Sequence, residues 1–445
     1  MIAAGGQGVL AQDPAPAPAA DGTLDAWLSW LEAGRGEHID LGLERCQEVA
    51  ARLRLGRPAA QVVTVAGTNG KGSSVALLES IWHSAGYRVG TYTSPHLIRY
   101  NERIRIGGQA VDDRAICGAF AAVEAARAQV PLTYFEFATL AALIIFSHAE
   151  LDVVILEVGL GGRLDAVNII DADVALITAI GIDHEDWLGT TREQIALEKG
   201  GIMRSNRPAV CSDHAVPETL TAYAAQSGAQ LAVLGVDYGF EIGEADWTWW
   251  DSATVYENLP LPALYGVHQF RNAAGVLAVV EILQAHLPIA RAAIDRGLRE
   301  FILNGRFQRL HEAHEYILDV AHNPQAAAIF TAALAPAPAA GRTLALIGML
   351  RTKNHREFLR PLVPLVDGWY FADLPGTNGA RAQDLANALT GLAPRTRTSC
   401  HGSVVQAHAA LLAEARPGDR ILVLGSFLTV GAMMRIFNAN RSDTG

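Results

Sequence analysis

The 445-residue chain has few cysteines, little charge and no long apolar run, and each shortage excludes a class of protein. Its 4 cysteines are widely spaced, so a disulfide-rich secreted scaffold is not expected. The longest apolar run, near residues 137–146, is shorter than the roughly 18 to 20 residues that span a bilayer. The formal net charge of −11 disfavours a general nucleic-acid or anionic-membrane surface. We therefore expect a cytoplasmic protein that binds neither nucleic acid nor membranes.

The N-terminal stretch lacks the basic region of a secretory signal and runs through an Ala/Pro repeat from Pro14 to Ala20. We expect residues 1–22 to be a disordered extension, or to precede the true start of the protein. The remaining residues are too many for one ordinary hydrophobic core. With 42 glycines and 50% hydrophobic residues, the composition predicts a globular protein with two domains.

Apolar runs typical of strands alternate with helix-like segments along most of the chain, which predicts an α/β fold of parallel sheets covered by helices. The alternation breaks at residues 231–261, where tryptophans between polar residues predict a segment of antiparallel strands. It breaks again at residues 304–305 and then resumes. We therefore predict a first domain over residues 23–303 and a smaller, doubly wound Rossmann-like domain over residues 304–445.

A glycine-rich segment directly after the predicted strand QVVTVA has the composition of a phosphate-binding loop. Its glycines let the backbone wrap around an anion, and a following helix would point its N-terminal N–H groups at the same place. Lys71 supplies a point charge for the β- and γ-phosphates, and the Ser73 hydroxyl is a ligand for Mg²⁺. The spacing departs from G-x-x-x-x-G-K-[ST], and a plain turn is the alternative, but the flanking strand and helix favour ATP. The predicted loop comprises Gly67, Thr68, Asn69, Gly70, Lys71, Gly72 and Ser73.

Two more polar side chains follow apolar strands, at the sheet edge where open α/β folds bind ligands. Glu157 ends the run DVVILE and is predicted to face Mg²⁺, although taken alone it is equally explained as a surface glutamate. His184 follows another such run and is a second candidate metal ligand. The Glu157 assignment depends on its pairing with the phosphate loop. A lone loop histidine is more often solvated or hydrogen-bonded, so the residues alone leave the metal role of His184 open.

Many ordered segments resemble the folylpolyglutamate synthase/dihydrofolate synthase branch of the Mur ligase superfamily, from about Leu24 to Phe437. Two of them, HIDLGLER and LTYFEF, are most similar to the bacterial bifunctional form. The matching segments are HIDLGLER (38–45), GTNGKGS (67–73), TSPHL (93–97), NERIRI (101–106), LTYFEFATL (132–140), LEVGLGGRLDAVN (156–168), IDHEDWLG (182–189), EKGGI (198–202), HQFRNAA (268–274), NGRFQ (304–308) and DVAHNP (319–324).

The resemblance implies an ATP-dependent amide ligase with an N-terminal P-loop domain of the Mur ligase central type and a C-terminal Rossmann-like glutamate-ligase domain. In such an enzyme ATP phosphorylates a substrate carboxylate and the amine of L-glutamate attacks the acyl phosphate, because a carboxylate is itself a poor electrophile. The implied reactions of folate biosynthesis add glutamate to dihydropteroate, forming dihydrofolate, and to the γ-carboxyl of reduced folates. We expect the enzyme to be a monomer.

The resemblance also assigns roles in the ATP site. Ser73 and Glu157 are implied to hold one Mg²⁺, and Glu157 with His184 a second. Lys199 matches a lysine that the family carries as a carbamate, whereas the sequence alone favours an ordinary solvated lysine on a helix. The implied catalytic residues are Lys71, His184 and Lys199, and the residues implied to complete the nucleotide site are Asn272, Arg306, Asp319 and His322.

For the pterin substrate the resemblance implies a pocket with apolar walls and one carboxylate, which suits a flat ring bearing amino and amide nitrogens. Phe135 and Leu41 are equally explained as core residues. Arg163 is a candidate for binding a substrate carboxylate, with the alternative that it ties its glycine-rich turn together. The substrate-binding candidates are Ile39, Leu41, Thr133, Phe135, Arg163 and Asp165.

The same motifs also bear on other possible functions of the chain. Folylpolyglutamate synthase activity alone, or another Mur-type amino-acid ligase, would share the phosphate loop and the two-domain plan. A P-loop kinase or motor ATPase is disfavoured because such proteins rarely carry EKGGI, HQFRNAA and DVAHNP. A dinucleotide oxidoreductase would need G-x-G-x-x-G opening a helix, and residues 425–427 are too weak a match.

Overall fold

The computed structural model describes residues 16–35, 39–337 and 339–442. Most of the predicted N-terminal extension, up to residue 15, and His38 of the HIDLGLER segment lie outside these ranges. The described end of the extension is docked on the first domain, since Trp27 Nε1 donates to Ala19 O at 3.1 Å. No helix in the described ranges is both long and apolar enough to cross a bilayer.

The first domain is built on a mixed sheet with a parallel centre. Its strands are β1 Ala59–Ala66, β2 Val89–Tyr92, β3 Ile104–Ile106, β4 Gln109–Ala110, β5 Leu151–Glu157, β6 Val174–Ile177, β7 Pro208–Cys211 and β8 Gln230–Val233. They lie in the order β4-β3-β2-β5-β1-β6-β7-β8, with β3 antiparallel to both β2 and β4 and the pairs from β2 to β8 parallel. The described part of β5 is almost wholly buried, as expected for a parallel strand covered on both faces.

Helices cover both faces of this sheet. They are α1 Leu24–Arg35, α2 Glu44–Arg52, α3 Lys71–Ser84, α4 Asp113–Arg127, α5 Tyr134–Ser147, α6 Glu185–Leu188, α7 Arg192–Gly200, α8 Glu218–Ser227, α9 Val267–Leu283 and α10 Arg291–Glu300. Side chains of β5 alternate between two hydrophobic clusters, with Val154 and Leu156 in one and Val153 and Ile155 in the other. The sheet is therefore the middle layer of the domain.

The predicted segment of antiparallel strands exists, but its predicted start at residue 231 is wrong. Residues 231–233 belong to β8, which pairs parallel to β7 at the edge of the large sheet. This strand is short and only partly buried, so it lacks the continuous apolar run of a central strand. The antiparallel strands are β9 Tyr238–Ile242, β10 Asp246–Asp251 and β11 Val255–Pro260.

The second domain is the predicted smaller α/β unit. Its strands are β12 Gln308–His311, β13 Glu315–Leu318, β14 Thr343–Ile347, β15 Gly368–Ala372, β16 Thr398–His401 and β17 Arg420–Leu424. They lie in the order β12-β13-β17-β14-β15-β16, parallel except for β12. The helices are α11 Pro324–Leu334, α12 His355–Leu359, α13 Ala382–Thr390, α14 Val404–Glu414 and α15 Phe427–Ser442. The predicted boundary at residue 304 falls in the connection between α10 and β12.

Candidate active site

The predicted phosphate loop joins the end of β1 to the start of α3. Gly70 has a left-handed φ of 94°, and a Cβ atom there would lie 2.5 Å from Asn272 Oδ1. Both the turn and the close approach of α9 therefore require glycine at this position. Thr68 N–H donates to Ala179 O at 2.7 Å, which ties the loop to the segment after β6. The N-terminal N–H groups of α3 are thus presented at the carboxyl edge of the sheet.

A cleft between the two domains brings together the residues predicted to bind ATP and metal. The phosphate loop, the end of β5 and the first turns of α9 form one wall, and residues just before β12 and just after β13 form the other. The predicted residues that line the cleft are Gly67, Thr68, Asn69, Gly70, Lys71, Gly72, Ser73, Glu157, His184, Lys199, Asn272, Arg306, Asp319 and His322.

Glu157 lies at the end of β5 beside the phosphate loop and is 5% exposed. Its Oε2 accepts the Ser94 N–H at 3.2 Å. Burial raises the pKa of this carboxyl, and the charge of Lys71 opposes that shift. In the described part of the chain, no three His, Cys, Asp or Glu side chains converge as a metal cluster. Glu157 and the buried Ser73 can therefore supply only part of an oxygen shell, to be completed by ligand oxygens.

His184 stands at the start of α6 in a left-handed conformation, with φ 54°. Its Nε2 lies 3.4 Å from Lys353 Nζ. Burial and the positive charge of Lys353 lower the pKa of His184 to about 4. The imidazole is therefore neutral near pH 7, which is the form that coordinates a cation.

Asp183 connects the domains through side chains of the second domain. Lys353 Nζ lies 2.6 Å from Oδ1, Asn323 Nδ2 donates to Oδ2 at 3.2 Å, and His322 Nε2 lies 3.6 Å from Oδ2. Burial opposes ionisation, yet the contact with His322 and the charge of Lys353 hold the pKa of Asp183 well below its usual range. The ion pair of Asp183 with Lys353 is consequently a buried contact across the cleft.

The phosphate loop also contacts the second domain directly. Asn69 Nδ2 donates to Gln325 Oε1 at 2.7 Å, and Asn323 Nδ2 donates to Asn69 Oδ1 at 3.1 Å. These bonds place the N-terminus of α11 opposite the N-terminus of α3. Two helix N-termini, both of which favour anions, therefore face the same space.

Lys199 lies on α7 and is 2% exposed, so the alternative of an ordinary solvated lysine is wrong. Burial, reinforced by the charge of Lys71, lowers the pKa of Lys199 to about 7. A large fraction of this amine is uncharged at neutral pH and carries a free lone pair. The environment therefore fits a lysine that reacts with CO₂.

Arg306 and Asp319 extend the cleft from the second domain. The guanidinium carbon of Arg306 lies 5.1 Å from the centroid of the Phe427 ring. Asp319 accepts the N–H groups of Phe307 and Ala321, each at 2.8 Å. Burial raises the pKa of Asp319, while Arg306 opposes the shift. A cation and a carboxylate are thereby fixed close together beside an aromatic face.

Phe135 packs behind the cleft wall. A Cβ atom at Gly159, which lines the cleft, would lie 2.6 Å from the Phe135 ring, and the ring centroid is 5.9 Å from that of Tyr92. Ile39 and Leu41 are half-buried in the segment before α2. The wall formed by Phe135 therefore adjoins Gly159 in the lining of the cleft.

Thr133 and Asp165 each have local structural partners. Thr133 caps α5, since its side chain accepts the Glu136 N–H at 3.2 Å. Asp165 is 3% exposed and accepts the N–H groups of Leu160 at 2.8 Å and Val167 at 3.1 Å. Burial raises the pKa of Asp165 to about 6 against these hydrogen bonds. Both residues therefore stabilise the backbone around the predicted pterin pocket.

Arg163 has a partner that favours its alternative role. Its Nη2 lies 2.8 Å from Glu198 Oε1, and its backbone N–H donates to Glu198 O at 2.7 Å. The side chain is 50% exposed and is not among those that line the cleft. This placement supports Arg163 as a tie between the glycine-rich turn and α7, rather than as a ligand of a substrate carboxylate.

Several cleft residues escaped prediction. Ser94, His268 and Gln269 line the cleft and lie in the segments TSPHL and HQFRNAA. The position of Ser94 after β2, at the same sheet edge as Glu157, was a usable signal. Phe427 and Lys353 reach the site only through the packing of the second domain, and nothing in their local sequence marks them.

Family models match most of the chain. The Mur ligase middle domain matches residues 65–280, and the Mur ligase, glutamate ligase domain matches residues 305–427. The chain is 47% identical over 425 residues to the dihydrofolate synthase/folylpolyglutamate synthase of Escherichia coli (strain K12), covering 96% of this chain and 98% of that protein.

Solved structures agree with this similarity. FolC of E. coli in complex with DHPP and ADP has a TM-score of 0.90 and 46% identity, covering 95% of this chain and 100% of that one. A bifunctional folylpolyglutamate synthase/dihydrofolate synthase with Mn, AMPPNP and L-glutamate bound has a TM-score of 0.87 and 44% identity, with coverage of 95% and 100%.

Proposed function

We propose a catalytic role for each part of the cleft from the premise that the chain belongs to the Mur ligase family, in its dihydrofolate synthase/folylpolyglutamate synthase branch. The chain is an ATP-dependent ligase that joins glutamate to folates. We propose that it acts on both dihydropteroate and the γ-carboxyl of reduced folates. The observation that carries the assignment of roles is that one interdomain cleft is lined by all the predicted nucleotide and metal residues.

ATP is proposed to lie with its phosphates on the loop of residues 67–73 and its base toward Asn272. Lys71 Nζ donates to Gly67 O within the loop at 3.1 Å, so its charge lies where the β- and γ-phosphates are proposed to bind. Arg306 and Asp319 would contact the nucleotide from the second domain. The facing helix N-termini offset the phosphate charge on a chain that is acidic overall.

Ser73 and Glu157 are proposed to hold one Mg²⁺ next to these phosphates, and Glu157 with His184 a second. Mg²⁺ when bound neutralises charge on the transferred phosphoryl group. Glu157 and Ser73 offer oxygen atoms, the donors this cation prefers, and both are buried before any ligand arrives. The imidazole of His184, neutral near pH 7, would add a nitrogen donor beside Glu157 for the second cation.

Lys199 is proposed to become a carbamate. The uncharged amine attacks CO₂, a C–N bond forms, and loss of one amine proton to solvent leaves a carboxylate. This converts a buried group that is partly cationic into an anion close to Lys71 and the metal residues. Such a carboxylate would orient the γ-phosphate and its cation more firmly than a lysine could.

In the proposed reaction a carboxylate oxygen of the folate attacks the γ-phosphorus of ATP, and the bond to the β–γ bridging oxygen breaks to release ADP. The amine of glutamate then attacks the acyl carbon, and phosphate departs with the former carboxylate oxygen. Water would hydrolyse this intermediate, so the cleft must stay closed. The buried contact of Asp183 with Lys353 is suited to that task.

The test is phosphate release from ATP by the purified chain with Mg²⁺ and L-glutamate, with dihydropteroate, tetrahydrofolate or no acceptor. We expect both acceptors to stimulate release and to gain the mass of one glutamate residue. A gain with tetrahydrofolate alone would restrict the chain to folylpolyglutamate synthase activity. If neither acceptor responds, the assignment of folate substrates to this chain is wrong.

A further inference from the structure

Arg45 on α2 joins the two segments that the proposed function places around the pterin. Its Nη1 donates to Asp40 Oδ2 at 2.6 Å and its Nη2 donates to Asp40 O at 2.8 Å. On its other side Nε donates to Glu136 Oε1 at 3.1 Å, and Nη2 lies 3.0 Å from the same oxygen. One guanidinium therefore ties the segment before α2 to the first turn of α5.

The residues next to these contacts are the predicted pterin walls. Asp40 stands between Ile39 and Leu41, and Glu136 directly follows Phe135. The Glu136 carboxylate also accepts the Thr133 N–H at 2.7 Å, so it belongs to the cap of α5. The position of Arg45 consequently sets the spacing between one wall and the other.

The helices themselves have other anchors. On α2, Cys46 and Val49 are 0% exposed and belong to the hydrophobic core of the first domain. Helix α5 keeps its Thr133 cap and a largely buried apolar face. The Arg45 contact with Asp40, whose side chain is 39% exposed, is therefore not needed to hold either helix. It orders the connecting segment instead.

We propose that Arg45 is a positioning residue for the pterin substrate, holding the Ile39–Leu41 segment at a fixed distance from the Phe135 wall. The inference rests on the proposed function. It also explains why arginine occupies the position: the planar fork reaches a carboxylate, a main-chain carbonyl and a second carboxylate at once, whereas the single ammonium of a lysine cannot.

The experiment measures steady-state kinetics of wild type, Asp40→Asn, Arg45→Lys and the double variant, varying dihydropteroate and ATP separately. Asp40→Asn leaves the partly buried Arg45–Glu136 pair intact, so folding is not at risk. We expect Arg45→Lys to raise the KM for dihydropteroate about tenfold and Asp40→Asn several-fold, with the KM for ATP within about twofold of wild type. The rise in the KM for dihydropteroate in the double variant should be smaller than the two single effects combined, because both changes break the same contact.

The control is Glu48→Gln, which breaks an exposed ion pair with Arg52 on the same helix and should leave both KM values unchanged. Equal rises in both KM values, or an unchanged pterin KM in Asp40→Asn and Arg45→Lys, would overturn the role of Arg45. Wild-type activity that does not depend on a folate would instead refute the proposed function, so the two failures are distinguishable.

Discussion

The nucleotide side and the pterin side of this site are built in different ways. On the nucleotide side, main-chain N–H groups and side chains such as Lys71 point into a cleft between domains. On the pterin side, Thr133 caps a helix, Asp165 accepts main-chain hydrogen bonds and Phe135 packs on Gly159. A phosphate anion needs hydrogen-bond donors that are free to bind it, whereas a flat ring needs apolar walls. Residues that stabilise the fold can supply such walls. Changes to nucleotide-side residues that pack no core, such as Lys71, should therefore affect catalysis alone, and changes on the pterin side should affect both binding and stability.

Lys71→Ala should give the largest effect. We expect turnover to fall by about 10³-fold or more, because a preorganised charge at the transferred phosphoryl group is lost. The melting temperature should stay within about 2 °C of wild type, since Lys71 packs no core. Turnover assays and thermal unfolding check both expectations. Turnover equal to wild type would remove the phosphate loop from the mechanism.

Lys199→Ala should reduce turnover by about 10²-fold, and short carboxylates such as acetate should restore part of it if a carbamate is needed. Activity measured with and without acetate decides this. Full activity in the variant without any rescue would contradict the carbamate.

The low pKa of Lys199 has a separate consequence for stability. Its pKa of about 7 in the folded chain lies below the ordinary value of 10.5, so between these values the unfolded chain binds more protons. The free energy of unfolding should therefore rise with pH across this window, and Lys199→Met should flatten that rise. Denaturant titrations at several pH values in CO₂-free buffer, where the amine stays unmodified, provide the measurement. An identical slope in both proteins would mean that the lysine is not held neutral by burial.

Phe135→Ala tests the other half of the comparison. We expect the KM for dihydropteroate to rise roughly tenfold, the KM for ATP to change less than about twofold, and stability to fall by about 1–3 kcal/mol, since the ring is partly buried. Phe135→Leu, which keeps most of the apolar volume, is the matched control. A variant with weaker pterin binding and unaltered stability would show that the walls are not structural.

Arg163→Gln should give the smallest effect. Because the side chain is half exposed and pairs with Glu198, we expect changes below about threefold in every KM and below about 1 kcal/mol in stability. A tenfold rise in the KM for a carboxylate substrate alone would return Arg163 to the binding site.

The parts of the molecule that were predictable are those fixed by short-range chemistry. Strands Ala59–Ala66 and Leu151–Glu157 contain the apolar runs QVVTVA and DVVILE, and they lie where the pattern placed them. The edge strand Gln230–Val233 was misassigned because an edge strand is only partly buried, so its apolar pattern in the sequence is weak. Lys353 could not be found, since its contact with Asp183 spans 170 residues of sequence and depends on how two domains dock. Burial of Lys199 likewise depends on tertiary packing.

The most direct test of the account is isotope transfer from the folate carboxylate. Dihydropteroate labelled with ¹⁸O in its carboxylate would be converted with ATP, Mg²⁺ and L-glutamate, and the released phosphate analysed by mass. An acyl phosphate formed in the interdomain cleft predicts one ¹⁸O atom in each phosphate for every dihydrofolate made. Unlabelled phosphate accompanying labelled product would contradict it, because the carboxylate oxygen would then never have been bonded to phosphorus.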